Sequence, residues 1–317
     1  PKENSVLAPI EARDKTYRAF LEELTLSEKN ISMLLSRGFD YEEIEMLGYK
    51  TFPDPRGIDY KALCRRLLDK GCELKGVPMF FVDRSGDWTF YKRTLGIILP
   101  QRDIFGRIWG LQERKDDDLR VVNEEGKLEA KCTWLSSGTS YKGCSVTVEP
   151  NFSCDFKFNE ATKCKEPVFN NNRQFLTEGS MKGDLAFCLS DGKMSFLTIP
   201  GVGQYESFRP VLEKLKKNYG LAQVMTAFDS DYLTNRNVCE SLQNLHKLLK
   251  EIGFENASSA ATTNVVCHNK KDGKDYKFCL LDGVQLDWNT KVNEISLLKG
   301  IDDYLAYQVK KVIPRIK

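Results

Sequence analysis

The chain has 317 residues, 41% of them hydrophobic and 29% charged, with 47 Lys and Arg against 45 Asp and Glu for a formal net charge of +2. That balance excludes a disordered tail, a fibre and a disulfide-stapled mini-protein, and no apolar run approaches the roughly 18 residues of a membrane span, so no membrane partner is expected. The small net charge excludes a protein that coats nucleic acid by overall basicity, but it leaves room for a local basic groove.

The N-terminal stretch Pro1-Lys2-Glu3-Asn4-Ser5 has no apolar run of the secretory kind, which reads as cytoplasmic. The chain opens on Pro1 rather than Met, which reads as an excerpt of something longer. Ten cysteines occur without a Cys-x-x-Cys pair, and the two histidines are His246 and His268. Zinc signatures are therefore absent. Cys132, Cys144, Cys154 and Cys164 are evenly spaced, yet nothing indicates an oxidising compartment, so free structural thiols are expected.

Residues 1–76 read as a helical module. Thr25 and Glu28 form a capping box before Ile31, Leu34 and Leu35, with Gly38 as the stop. Asp40 and Glu43 repeat the pattern before Ile44 and Leu47. A third helix carries Leu63, Leu67 and Leu68 and ends near Gly71. Such a trio is either a packing module or a helix-turn-helix.

Residues 77–172 read as a basic α+β subdomain. Val77–Val82 and Thr94–Pro100 are strand-like, and the turn chemistry of Asp103–Arg107 followed by Ile108–Leu111 predicts a hairpin. Lys92, Arg93, Arg102, Arg107 and Arg114 decorate it. The Ser-, Thr-, Asn- and Lys-rich stretch 137–172 is expected to be an irregular insertion.

Residues 173–317 alternate strand and helix. Strands are expected at Phe175–Thr177, Ser195–Ile199, Gln223–Phe228 and Val284–Trp288. Helices are expected through Leu185 and Leu189, over Glu206–Tyr219, over Val238–Ile252 and after Asp303, with an insertion at 255–283. This order predicts an α/β fold with a parallel sheet covered by helices. Glu178 falls at the carboxyl end of the first strand, Asp229 and Asp231 at the end of the third, and Asp302 and Asp303 at a later loop-to-helix junction. Ligands of open parallel sheets bind beyond the carboxyl ends of the strands, and carboxylates converging there suit Mg²⁺ or Mn²⁺.

With these residues in hand, Leu176-Thr177-Glu178-Gly179, Ile199-Pro200-Gly201-Val202 and Ala227-Phe228-Asp229-Ser230-Asp231 resemble the motifs of a Toprim domain. The segments Gly96–Asp103, Gly106–Arg114 and Trp134-Leu135-Ser136-Ser137 are similar to the basic subdomain that precedes Toprim in bacterial replicative primases. Lys299-Gly300-Ile301-Asp302-Asp303-Tyr304-Leu305 is similar to the late acidic motif of that family. The ordering resembles primase-like Toprim proteins of bacterial mobile elements and plasmids. Two departures stand out: Lys182 replaces the acidic residue four positions after the Toprim glutamate, and no zinc-binding module is present.

The resemblance implies template-directed primer synthesis on single-stranded DNA from nucleoside triphosphates. It implies Glu178, Asp229 and Asp231 as catalytic residues, with the same three plus Asp302 and Asp303 as ligands of Mg²⁺ or Mn²⁺. Arg107, Arg114, Lys131 and Lys182 would bind nucleic acid or nucleotide, and a helicase or zinc-binding module outside this chain would be a partner. Trp109 and Trp134 would stack a base or fill a core. A Toprim nuclease would use the same carboxylates, and a non-catalytic DNA-binding replication accessory would use the same scaffold.

Overall fold

The computed structural model describes residues 5–310 apart from 92, 94, 117, 119, 123–125, 127, 162, 170–171, 230–235, 255–257, 260–265, 270–273 and 278–299. The chain divides into two compact units, residues 1–34 with 41–148, and residues 35–40 with 149–317. The sequence reading has three segments instead. Asp231, Lys92 and the strand expected at Val284–Trp288 lie outside the described residues.

The first unit opens with a helix the sequence did not announce, α1 (Ile10–Glu22). It buries Arg13, Thr16, Tyr17 and Phe20, which recur at helical spacing. Half of that stripe is polar, so apolar periodicity alone misses it. The polar half is hydrogen-bonded: Arg13 donates to Trp109 O at 2.7 Å and Ala8 O at 3.1 Å, and Thr16 donates to Glu73 O at 2.8 Å. Helix α2 (Glu28–Arg37) is capped by Ser27, not Thr25, since Ser27 Oγ accepts the Asn30 N–H at 3.3 Å. α3 (Tyr41–Leu47) and β1 (Lys50–Thr51) follow. α4 (Tyr60–Asp69) is capped by Asp59, which accepts from the Lys61 and Ala62 N–H groups.

Helices α1 and α4 share one core with the strands that follow rather than forming a core of their own. Strands β2 (Phe80–Val82) and β3 (Trp88–Phe90) pair antiparallel. Phe20 meets Phe80 and Phe90 edge-on at 5.9 and 5.5 Å, and Tyr60 stacks on Phe90 at 4.1 Å. The expected hairpin is present as β4 (Ile97–Arg102) and β5 (Ile108–Arg114), extended by β6 (Cys132–Trp134) into a sheet of order β1-β4-β5-β6. Asp103 closes its turn by accepting the Phe105 and Arg107 N–H groups. Trp109 is fully buried, with its ring 5.3 Å from that of Trp134, so its indole fills the core.

In the second unit, the stretch expected as an irregular insertion contains β7 (Asn151–Ser153), β8 (Phe156–Asn159) and β9 (Cys164–Pro167), of which β8 and β9 form a hairpin. Then come β10 (Arg173–Glu178), α5 (Ser180–Leu189), β11 (Phe196–Ile199), a 3₁₀ segment at Val202–Ser207, α6 (Phe208–Tyr219), β12 (Gln223–Thr226) and α7 (Arg236–Glu251). The chain continues through β13 (Ser258–Ser259), β14 (Val266–Asn269), β15 (Lys274–Lys277) and α8 (Ile301–Lys310). The main sheet has the order β13-β12-β10-β11-β7, parallel throughout except for β7 at its edge. β10 and β11 are buried on both faces, as a helix-covered parallel sheet requires. The described cysteines Cys64, Cys72, Cys132, Cys144, Cys154, Cys164 and Cys188 are free thiols.

Candidate functional site

Strand pairing brings the acidic residues together. Glu178 ends β10 beside Ile199 of β11, and the Gly179 N–H donates to Ile199 O at 2.8 Å. Gly179 adopts φ 80, which turns the chain sharply from strand into α5 without the cost a side chain would bring. On the other side of β10, Thr177 Oγ1 donates to Ala227 O at 2.7 Å, and the Ala227 N–H donates to Leu176 O at 2.7 Å. These bonds hold the end of β12 against β10, and Asp229 follows two residues later.

Lys182 rises from the first turn of α5 into this corner. Its ammonium is in direct contact with Asp229 Oδ1 and lies 3.7 Å from Glu178 Oε1. Burial alone would lower its pKa, but the charges of Asp229, Asp302 and Glu178 and the hydrogen bond to Asp229 outweigh burial and push it above the ordinary lysine value.

The start of α8 contributes the rest. Asp302 is fully buried, and its Oδ2 accepts from Arg37 Nη2 at 3.2 Å. Its Oδ1 has no hydrogen-bond partner among the described residues. A Cβ on Gly300 would lie 2.6 Å from Asp302 Oδ1 and 2.8 Å from Asp229 Oδ1, so these two oxygens face one cradle that only glycine leaves open. Asp303 is also buried, but its Oδ2 accepts the Gly300 N–H at 3.2 Å and caps its own helix.

The structure therefore brings together Glu178, Asp229, Asp302 and Lys182. Asp184, farther along α5, is buried as well, with Ser153 Oγ donating to its Oδ1 at 2.6 Å. Arg107, Arg114 and Lys131 belong to the other unit. Arg107 is held by Asp103 at 2.6 Å and by Glu11 at 2.7 Å. Burial works against its charge, yet Asp103, Glu11 and Asp14 keep its pKa raised. Arg114 is buried at the end of β5, and Lys131 is half-buried beside it, its carbonyl accepting the Lys115 N–H at 2.8 Å.

Sequence reasoning missed Arg37 and the steric role of Gly300. Arg37 is 265 positions from its partner, so no local pattern signals the pair.

In donor chemistry the cluster fits a hard divalent cation, because it offers carboxylate oxygens alone and one of them is buried with no hydrogen-bond partner. In number it is short: among the described residues no three His, Cys, Asp or Glu side chains lie close enough to hold an ion.

No family model matches the chain, and no curated protein does. Solved structures do. The zinc-binding and RNA polymerase domains of the Aquifex aeolicus primase match at 14% identity and TM-score 0.47, over 78% of this chain and 54% of that one. The RNA polymerase domain of Mycobacterium tuberculosis primase DnaG, in complex with double-stranded DNA, matches at 16% identity and TM-score 0.48, over 73% of this chain and 67% of that one. A DNA primase domain from Pseudomonas aeruginosa matches at 15% identity and TM-score 0.42, over 73% and 64%. The chain thus spans about half the length of the Aquifex structure and about two thirds of the other two.

Proposed function

We propose that this chain is a primase-like nucleotidyltransferase that makes short primers on single-stranded DNA from nucleoside triphosphates by divalent-metal-assisted phosphoryl transfer, in the replication of a mobile element. The observation that carries the reading is the convergence of Glu178, Asp229 and Asp302 on Lys182 beyond the carboxyl ends of β10 and β12. Asp229 and Asp302, with Glu178 and Asp231, would hold Mg²⁺ or Mn²⁺, and the bound ion supplies electrostatic stabilisation of the phosphoryl group in flight.

The chain's own residues do the remainder. Glu178 keeps a quarter of its side chain open to solvent, so it can take a proton from an attacking hydroxyl and pass it on to water. Arg37 fixes the Asp302 carboxylate through its Oδ2 and leaves Oδ1 aimed at the cradle by Gly300. Lys182 offsets the repulsion among the carboxylates with its own positive charge.

A second reading, a metal-dependent nuclease, gains from one observation. Arg107, which the primase reading assigns to nucleic acid or nucleotide, is already neutralised by Asp103 and Glu11.

One gel separates the two. The full chain is incubated with labelled nucleoside triphosphates, single-stranded DNA and Mg²⁺ or Mn²⁺, beside Glu178→Ala and Asp229→Ala. Short new products that fall by about 100-fold or more in both variants are expected, the scale of removing a proton-transfer group or a metal ligand. Cleavage of the DNA without synthesis moves the assignment to the nuclease, and neither activity overturns both.

A further inference from the structure

We infer that Lys182 is a resident cation of the acidic cluster, competing with the divalent ion for the Asp229 carboxylate. The inference rests on the metal-dependent reading above and deepens it, because it says how tightly this site takes its ion.

Three observations carry it. First, the ammonium is placed as a bound cation would be. It touches Asp229 Oδ1, lies 3.7 Å from Glu178 Oε1, and only 11% of its side chain is exposed. A lysine serving an incoming phosphate would instead need its ammonium free of fixed carboxylates. Second, α5 gives the charge no support. Lys182 sits in the first helical turn, where the aligned peptide dipoles present their positive end and disfavour a cation. What holds the ammonium there is the cluster itself. Third, the cluster already contains a second fixed cation, since Arg37 binds Asp302 through Oδ2. The two oxygens turned towards Gly300 are Asp302 Oδ1 and Asp229 Oδ1, and the second of these is the atom Lys182 holds. An incoming ion therefore meets the lysine at the very oxygen it needs. Removing the ammonium leaves the cluster one unit more negative at a buried position, where charges are poorly screened.

The test is a Mn²⁺ titration of the full chain followed by electron paramagnetic resonance, with wild type, Lys182→Met and Lys182→Arg. Circular dichroism and thermal melts check that each variant is folded, and Lys182→Gln replaces Lys182→Met if the latter is not. The neutral variant is expected to bind Mn²⁺ at least tenfold more tightly than wild type. The charge-retaining Lys182→Arg is expected to stay within about threefold of wild type. Equal or weaker Mn²⁺ binding by the folded neutral variant overturns the inference and leaves the metal-dependent reading standing. Absence of Mn²⁺ binding by all of the proteins overturns that reading itself.

Discussion

His246 couples acidity to stability at a single side chain. Its Nε2 lies 3.1 Å from Thr226 Oγ1, joining α7 to the end of β12. Burial, reinforced by Lys250, lowers its pKa below the ordinary 6.5. The unfolded chain then binds a proton more readily than the folded one, so this contribution is complete above about pH 6.5 and is lost as acid protonates the ring. The melting temperature of wild type is expected to fall between pH 7 and 5.5 more steeply than that of His246→Gln. Parallel profiles would remove the role. The acidic residues of the site are legible at this scale because local pattern alone puts Glu178 and Asp229 near strand ends and Asp302 at a loop-to-helix junction. Arg37 was not legible, because a pairing across the whole chain leaves no local trace.

At the scale of the element, α5 is the piece on which the site turns, and it is packed unusually close to the sheet. A Cβ on Gly183 would collide with the Thr198 methyl and lie 3.4 Å from Phe196 Cβ, both on β11. Alanine gains about 1 kcal/mol of helix propensity there. Forcing a methyl into a β-branched neighbour on a fixed strand costs about 1–3 kcal/mol. Gly183→Ala is therefore expected to destabilise by roughly 1 kcal/mol in denaturant unfolding, the difference between those two effects; a stabilised variant would show that the helix can slide. Asp184, next in sequence, explains why β7 escaped the sequence reading. This three-residue strand is too short for a period, and part of what seats it is a side-chain bond, Ser153 to Asp184. The longer βα repeats over 173–251 are legible because apolar strands alternate there with helices, α6 and α7 amphipathic, over enough residues for the pattern to outlast buried polar residues such as Gln174 and Asp184. Helix α1 was not, since Arg13 and Thr16 occupy its buried stripe.

For the molecule as a whole, each of the two units is closed by a short segment taken from early in the chain. The first unit draws Tyr17 and Phe20 from α1, with Ala8, Ala19, Leu21 and Leu24, into a core whose other buried members lie within residues 52–135. Losing either large side chain from a core costs about 3–5 kcal/mol, against a whole-domain stability of about 5–15 kcal/mol. A fragment of residues 41–148 is thus expected to be unfolded by circular dichroism, while residues 1–148 fold. Failure of both fragments would show that this core cannot stand alone. The second unit is closed in a similar way, by residues 35–40: a Cβ on Gly38 would sit 3.7 Å from Ala306 Cβ, and Arg37 reaches Asp302. The boundary the sequence suggested near residue 76 follows a change in composition, whereas cores follow contacts, and the aromatic cluster of Phe20, Phe80 and Phe90 crosses it.

The antiparallel strand at the end of the main sheet has a consequence for how the protein behaves in a crowded solution. β11 is fully buried and strongly apolar, and its outer rim of backbone N–H and C=O groups is taken up by Asn151, Phe152 and Ser153. Were those three residues absent, the rim would be an open template for strands of other molecules. The short strand thus acts as a guard against self-association, and trimming the chain just beyond it is expected to raise its tendency to aggregate.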